Sequence, residues 1–264
     1  MKDDIESSVR DRVLREERAH EDDNVLEESY KLKNRFHHIW SYPSRKRLEN
    51  HKHDLLNDID GCDVLDYGCG WGDNSIKYYL SGAFVTGIDV SERFIRAADE
   101  AFQSKGFDKN KYKFIKMDAH SLQFDDESFD FIVGDGILHH LDAKIALSEI
   151  YRVLKPGGKV ILFEPLAGHP LLKLFRLLTP KARTADEAPL TNSDLRAYSK
   201  LNSWEAEHEY CGVIEAPVAM LTSILIPGKP ENFLLNLADK LEKWIVKKKF
   251  LLSWNQYVLL VFKK

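Results

Sequence analysis

Between residues 64 and 73 the chain reads Val-Leu-Asp-Tyr-Gly-Cys-Gly-Trp-Gly-Asp, which sets Gly68, Gly70 and Gly72 at alternate positions behind the acidic Asp66. Glycines so spaced turn the backbone tightly and leave no Cβ between the chain and a bound molecule. Cys69 needs only to be small there, since no neighbouring base in the sequence would make it a thiolate. Asn74 and Ser75 then open a helical stretch, whose first main-chain N–H groups are expected to point into the same cleft. Further carboxylates close the apolar runs that follow: Asp89, with Val90, ends the run 84–90, and Asp118, with Ala119, follows the run 112–117. Asp135, with Gly136, follows 129–134, and Glu164 follows 159–163. Asp89 stands about 20 residues past the glycines, where one carboxylate meets both hydroxyls of a ribose in an α/β crevice.

Elements must bring these ends to one edge. Short apolar runs alternate with helical stretches, which predicts an α/β chain with a mostly parallel sheet. The stretch 143–154 is helical by its spacing and should stop at Lys155-Pro156-Gly157-Gly158. After Glu164 the expected order is an amphipathic helix opened by His169-Pro170, a polar loop 179–190, and a capped helix near Ser193-Asp194. A strand at 205–214, a helix at 231–246 and a strand at 254–262 complete the reading.

The segment 60–165, with its glycine loop, its acidic strand ends, Leu138-His139-His140-Leu141 and Arg152-Val153-Leu154-Lys155-Pro156-Gly157-Gly158, resembles the class I S-adenosylmethionine-dependent methyltransferases. It is similar to the branch that includes ubiquinone and menaquinone ring methylases and many small-molecule methylases. The resemblance implies a Rossmann-like three-layer sandwich with a seven-stranded, mostly parallel sheet, the last strand antiparallel and inserted between the fifth and sixth. It implies a site for S-adenosylmethionine, released as S-adenosylhomocysteine, built from Asp66, Gly68, Cys69, Gly70, Gly72, Asp89, Val90, Asp118, Ala119, Asp135 and Gly136. Within that set Asp118 is placed against the adenine amine. The rival, a dinucleotide-binding loop, needs a small residue where this chain has Asp73, whose charge would repel a pyrophosphate.

Methyl transfer requires alignment and, for a hydroxyl nucleophile, removal of a proton. The candidate bases are His139, His140, Glu164 and His169, with His140 and His169 the first choices. A ring carbon of an electron-rich acceptor would need no dedicated base. Amino-methylating relatives carry an Asn/Asp-Pro-Pro-aromatic loop after the fourth strand, and this chain has Gly134-Asp135-Gly136-Ile137 there. A small-molecule acceptor is therefore expected, methylated on a hydroxyl oxygen ahead of carbon or nitrogen, with a quinone precursor, a phenol or a sugar all open. A cofactor-binding module without turnover and a dinucleotide oxidoreductase remain as other classes.

The chain has 264 residues and a formal net charge of -4, enough for one α/β core and without the basic excess of a nucleic-acid binder. No bound metal is expected, because Cys62, Cys69 and Cys211 are too few and too scattered for a zinc site or a disulfide framework. No apolar run spans a bilayer and the N-terminus lacks a signal-peptide core, so a cytoplasmic monomer or homodimer without membrane insertion is the expectation. Residues 1–54 read as a helical extension and lid, with Tyr42 and Arg45 as cleft residues. Residues 55–264 read as the methyltransferase domain, with a substrate lid inserted at about 166–203 in which Arg176 and Arg183 could hold an anion. Lys247, Lys248 and Lys249 beside Trp244 and Phe250 suit either a solvated helix end or an anionic membrane surface.

Overall fold

A computed structural model describes residues 2–180, 187–201, 203–246 and 248–264. Seven strands form one sheet: β1 (Asp63–Tyr67), β2 (Phe84–Asp89), β3 (Tyr112–Lys116), β4 (Phe129–Asp135), β5 (Leu154–Pro165), β6 (Glu205–Cys211) and β7 (Tyr257–Lys263). Their order is β3-β2-β1-β4-β5-β7-β6. The first five run parallel, and β7 lies antiparallel between β5 and β6. This is the Rossmann-like sheet expected from the sequence, including the inserted last strand.

Period-two alternation sends neighbouring side chains to opposite cores. Leu65, Val160 and Leu162 enter one core with Ile150, Trp204 and Phe262, while Val64, Ile161 and Phe163 enter the other with Leu48, Tyr78 and Phe102. Burial on both faces explains why these strands are continuous apolar runs.

Ten α-helices are described: α1 (Lys2–Glu21), α2 (Asp23–Arg35), α3 (Pro43–Asp54), α4 (Asp73–Leu80), α5 (Glu92–Ser104), α6 (Ala143–Val153), α7 (Pro170–Leu178), α8 (Asn192–Tyr198), α9 (Glu215–Leu225) and α10 (Phe233–Ile245). The helix α6 stops one residue before Leu154, and Lys155-Pro156-Gly157-Gly158 continues as the opening of β5. There the register of β4 against β5 shifts, and Gly157 and Gly158 exchange backbone bonds with Lys264. The C-terminal strand thus holds what the sequence marks as a stop. The helix α8 is capped by Thr191, two residues ahead of the expected cap, through a reciprocal bond with Asp194. Helix α9 has no counterpart in the sequence reading. Trp254, expected to begin the last strand, instead closes a 3-10 turn over Lys249–Trp254, and the strand starts at Tyr257.

Candidate active site

The carboxyl ends of β1, β2, β3 and β4 meet at one edge, where open α/β sheets bind ligands. A cavity of about 180 Å³ there is lined by Gly68, Gly70, Asp89, Val90, Asp118 and Ala119, with Ile88, Met117, Ile137 and Leu141 as apolar walls. Asp89 accepts from Gly70 N–H at 3.1 Å through Oδ2 and from Ser91 N–H at 2.9 Å through Oδ1. Burial raises its pKa against those bonds and the nearby His20. Asp118 accepts from the backbone N–H and ring Nδ1–H of His120, both at 2.8 Å through Oδ1. The ring tautomer follows from His120 Nε2, which accepts from Asp142 N–H at 2.9 Å. Burial would raise the Asp118 pKa, but the His120 bonds outweigh it and lower it.

The glycine loop packs more tightly than its sequence alone implies. The N–H groups of Gly68 and Cys69 donate to Ile88 carbonyl oxygen at 3.0 and 2.9 Å, so they do not point into the cleft. Gly68 has φ of 76°, and a Cβ there would meet Ile137 Cδ1 at 2.9 Å. Gly72 is the left-handed N-cap of α4. Asp66 and Cys69 lie buried behind the loop. Asp66 accepts from Ser75 Oγ–H at 2.5 Å, and burial pushes its pKa up to about 7. Burial likewise raises the Cys69 thiol far above its ordinary value, which leaves it without nucleophilic character.

Helix α1 covers this cavity, with Arg12, Val13, Glu16 and His20 in its lining. It is tied down by Glu16 to His140 Nδ1 at 3.2 Å, Lys116 to Glu17 at 2.5 Å, and Ser91 Oγ–H to Glu21 at 2.7 Å. The spacing of Val13, Glu16 and His20 places them on one helical face.

A second cavity, of about 500 Å³, opens beside the first, and Gly136 lines both. Aromatic groups wall it: Phe36, Trp40, Phe163, Phe175 and Tyr257. Arg45 also lines it and is only 9% exposed. Its guanidinium lies 4.3 Å from the Tyr257 ring centre and 4.9 Å from that of Phe163, and its Nε is 2.9 Å from Glu49 Oε1. The Nη1 atom is buried without a hydrogen bond among the described residues. Tyr42, the other expected cleft residue, is fully buried and donates to Gln256 Oε1 at 2.9 Å. Asp135 reaches this cavity and accepts from Lys52 Nζ at 2.5 Å and Asn74 Nδ2 at 2.7 Å.

The four candidate bases separate by position. His139 lines the second cavity, and its Nδ1–H donates to Glu164 Oε2 at 2.8 Å. Its Nε2 makes no hydrogen bond among the described residues. Glu164 is fully buried, lines neither cavity, and also accepts the N–H groups of Ile137 and Leu138 at 3.0 and 2.8 Å, which ties it to the turn that carries His139. His140 turns to the first cavity and pairs with Glu16. His169 lines neither cavity. Its Nδ1 accepts from Leu172 N–H at the start of α7, and its Nε2–H donates to Val213 carbonyl oxygen at 2.9 Å. Of the inserted segment, Leu172, Phe175, Arg176 and Glu187 line the second cavity, and Arg183 lies outside the described residues. Among the described residues no group of three or more His, Cys, Asp or Glu side chains is arranged to hold a metal ion.

Residues 65–162 match the family model described as a methyltransferase domain. The chain is similar to a demethylmenaquinone methyltransferase of Lactococcus lactis, 30% identical over 172 residues, covering 62% of this chain and 64% of that protein. A demethylmenaquinone methyltransferase of Staphylococcus epidermidis is 35% identical over 148 residues, covering 54% and 58%. The chain thus spans about three fifths of the length of these curated relatives. In fold it is similar to phosphoethanolamine N-methyltransferase 2 of Haemonchus contortus, at a TM-score of 0.56 and 22% identity, covering 81% of this chain and 52% of that one. With a matching domain model over residues 65–162, the expected sheet order and the acidic strand ends at one edge, the chain carries a methyltransferase-type domain similar to those of the class I S-adenosylmethionine-dependent methyltransferases.

Proposed function

We propose that this chain transfers a methyl group from S-adenosylmethionine to a small, flat aromatic acceptor bearing a hydroxyl. The observation that carries the reading is the meeting of the two cavities at Gly136, one edged by carboxylates and the other walled by aromatic rings. The first cavity fits an adenosine: Ile88, Met117, Ile137 and Leu141 can sandwich a base, and Asp89 can accept from ribose hydroxyls through oxygens already fixed by Gly70 and Ser91. Asp118 then stands where a base amine can donate to it. When bound, the cofactor supplies an electrophilic methyl group on a sulfonium and departs as the neutral thioether.

The protein's own contribution is positioning and proton removal. The acceptor ring stacks among Phe163, Phe175 and Tyr257, and Arg45 donates to an oxygen on it. His139 takes the hydroxyl proton on Nε2, while Glu164 holds Nδ1–H and stabilises the imidazolium that results. With the proton held on His139, the acceptor oxygen would be free to take the methyl group, a carbon–oxygen bond forming as the carbon–sulfur bond breaks.

A second reading, methylation of a ring carbon of a quinol-like acceptor, is favoured by the relatives named as demethylmenaquinone methyltransferases. The same proton removal serves it, since a phenolate is also activated at its ring carbon. The test is incubation with methyl-labelled S-adenosylmethionine and a panel of phenols, naphthols and reduced quinones, with products assigned by NMR. Label on oxygen supports the first reading and label on ring carbon the second. No label on any hydroxylated aromatic, with label on an amine or thiol acceptor, would contradict both.

A further inference from the structure

Outside the two cavities, three helices carry a set of exposed apolar side chains that the site does not use. On α10, Phe233, Leu234, Leu237, Leu241 and Trp244 form one exposed stripe, while Leu235, Ala238 and Glu242 face inward. On the neighbouring α9, Leu221, Ile224 and Leu225 are exposed at helical spacing. On α7, Leu172 and Phe175 line the aromatic cavity, whereas Leu171, Leu174 and Leu178 are more than half exposed on the other side. The pieces adjoin one another. Helix α9 contacts the turn 37–40, His38 bonds Thr222 and Ser223, and that turn presents the half-exposed Trp40 to the cavity. The start of α7 is bonded to Val213 through His169, and Val213 is bonded to Glu242 of α10.

The sequence around α10 has an excess of positive charge. Residues 229–250 hold six lysines against Glu231, Asp239 and Glu242, in a chain whose net charge is -4. The acids are all engaged: Glu242 is buried beneath four backbone N–H groups, Asp239 pairs with Arg47 and Lys243, and Glu231 faces Lys46. Lys229, Lys240 and Lys249 are exposed, and Lys248 Nζ lies 4.5 Å from the Trp244 ring centre. Leucine and aromatic side chains bordered by lysines are what an interfacial helix presents to headgroups and upper acyl chains. A second copy of the same face would set lysines against lysines, so self-association is the poorer match.

We propose that α7, α9, α10 and the turn 249–254 form a docking face for an anionic lipid bilayer, which lays the mouth of the aromatic cavity against the membrane. The attachment is peripheral, since among the described residues no helix is long and apolar enough to cross a membrane. That the cavity draws a lipid-dissolved acceptor through this mouth rests on the methyl-transfer reading; the docking itself does not.

The test is co-sedimentation with vesicles of phosphatidylcholine alone or mixed equally with phosphatidylglycerol, at low and high salt. Two double variants are compared with wild type: Leu237→Glu with Trp244→Glu, and Lys240→Glu with Lys249→Glu. Calorimetric titration with S-adenosylhomocysteine and thermal melting serve as fold controls. Wild type should bind the phosphatidylglycerol vesicles, more weakly at high salt, and each double variant should bind at least roughly tenfold more weakly with its titration unchanged. Wild type left in the supernatant with phosphatidylglycerol vesicles, or variants that bind as wild type does, would overturn the proposal. So would sedimentation equilibrium showing a wild-type dimer that Leu237→Glu with Trp244→Glu converts to monomer, because the face would then be a contact between copies. Failure of the methyl-transfer reading would show instead in the titration and the acceptor panel, with vesicle binding intact.

Discussion

His139 Nδ1 lies 2.8 Å from Glu164 Oε2, and the same carboxylate accepts the backbone N–H groups of Ile137 and Leu138. One buried acid at the end of β5 therefore fixes the ring tautomer of His139 and the turn that carries it past Gly136. His139→Gln should lower the rate of transfer to a hydroxyl by roughly 10²- to 10⁴-fold and leave S-adenosylhomocysteine affinity unchanged. Steady-state kinetics and calorimetry on one preparation check this. A variant with full kcat would remove His139 from the chemistry.

Arg45 combines stacking on Tyr257 with a buried Nη1 that lacks a hydrogen bond among the described residues. Arg45→Met keeps much of the side-chain volume and removes the donors. It should raise KM for a hydroxylated or carbonyl-bearing acceptor by roughly 10- to 100-fold, as the loss of a charge-assisted bond of about 1.5–3 kcal/mol requires. Cofactor affinity should not move. An unchanged KM would mean that the acceptor oxygen lies elsewhere.

The sequence made the carboxylate-edged cavity legible and left the aromatic cavity obscure. Each element of the first is local: a strand end and the turn after it lie within a few residues, as at Gly68 and Gly70 behind β1 and at Asp89 closing β2. The second cavity is assembled from Phe36, Arg45, Phe163, Phe175 and Tyr257, which lie on five separate stretches of chain, so no local spacing marks it. Adjacent residues can also part company. His139 and His140 are neighbours on one 3-10 turn, yet one faces the aromatic cavity and the other the cover of the carboxylate-edged cavity. His169 shows the opposite case: with proline at the first helical position after it, its place as N-cap of α7 was written in the sequence.

The pair of Glu16 with His140 holds α1 over the carboxylate-edged cavity. Burial alone would lower the His140 pKa, but the Glu16 carboxylate outweighs it and raises it. A raised histidine pKa gives a contribution fully present below the ordinary value of 6.5 and lost as pH climbs through the raised one. S-adenosylhomocysteine affinity should accordingly fall by roughly threefold to tenfold on the alkaline side of neutrality in wild type. Glu16→Gln should be weaker at pH 6 and nearly flat across the range. Equal pH dependence in both proteins would rule out this pair as the latch.

Asp66 is fully buried behind the glycine loop with a pKa of about 7, raised by burial and only partly restrained by Ser75. The folded state therefore holds a proton that the unfolded chain releases near pH 4. Its contribution to stability is present at low pH and is lost as pH rises from about 4 to about 7, remaining flat above. Asp66→Asn should be more stable than wild type at pH 8 by up to about 4 kcal/mol, with the advantage gone at pH 4. Urea denaturation at the two pH values reads the difference. Glu215, also raised to about 7, adds a slope common to both proteins and cancels in the comparison.

The measurement that bears most directly on the central claim is calorimetric titration of wild type and Asp89→Ala with S-adenosylmethionine and S-adenosylhomocysteine. Wild type should bind both, and Asp89→Ala should lose roughly 10- to 100-fold in affinity as the carboxylate bonds to the ribose hydroxyls disappear. Binding of neither ligand by wild type, or equal binding by wild type and Asp89→Ala, would contradict the assignment of the carboxylate-edged cavity as the cofactor site.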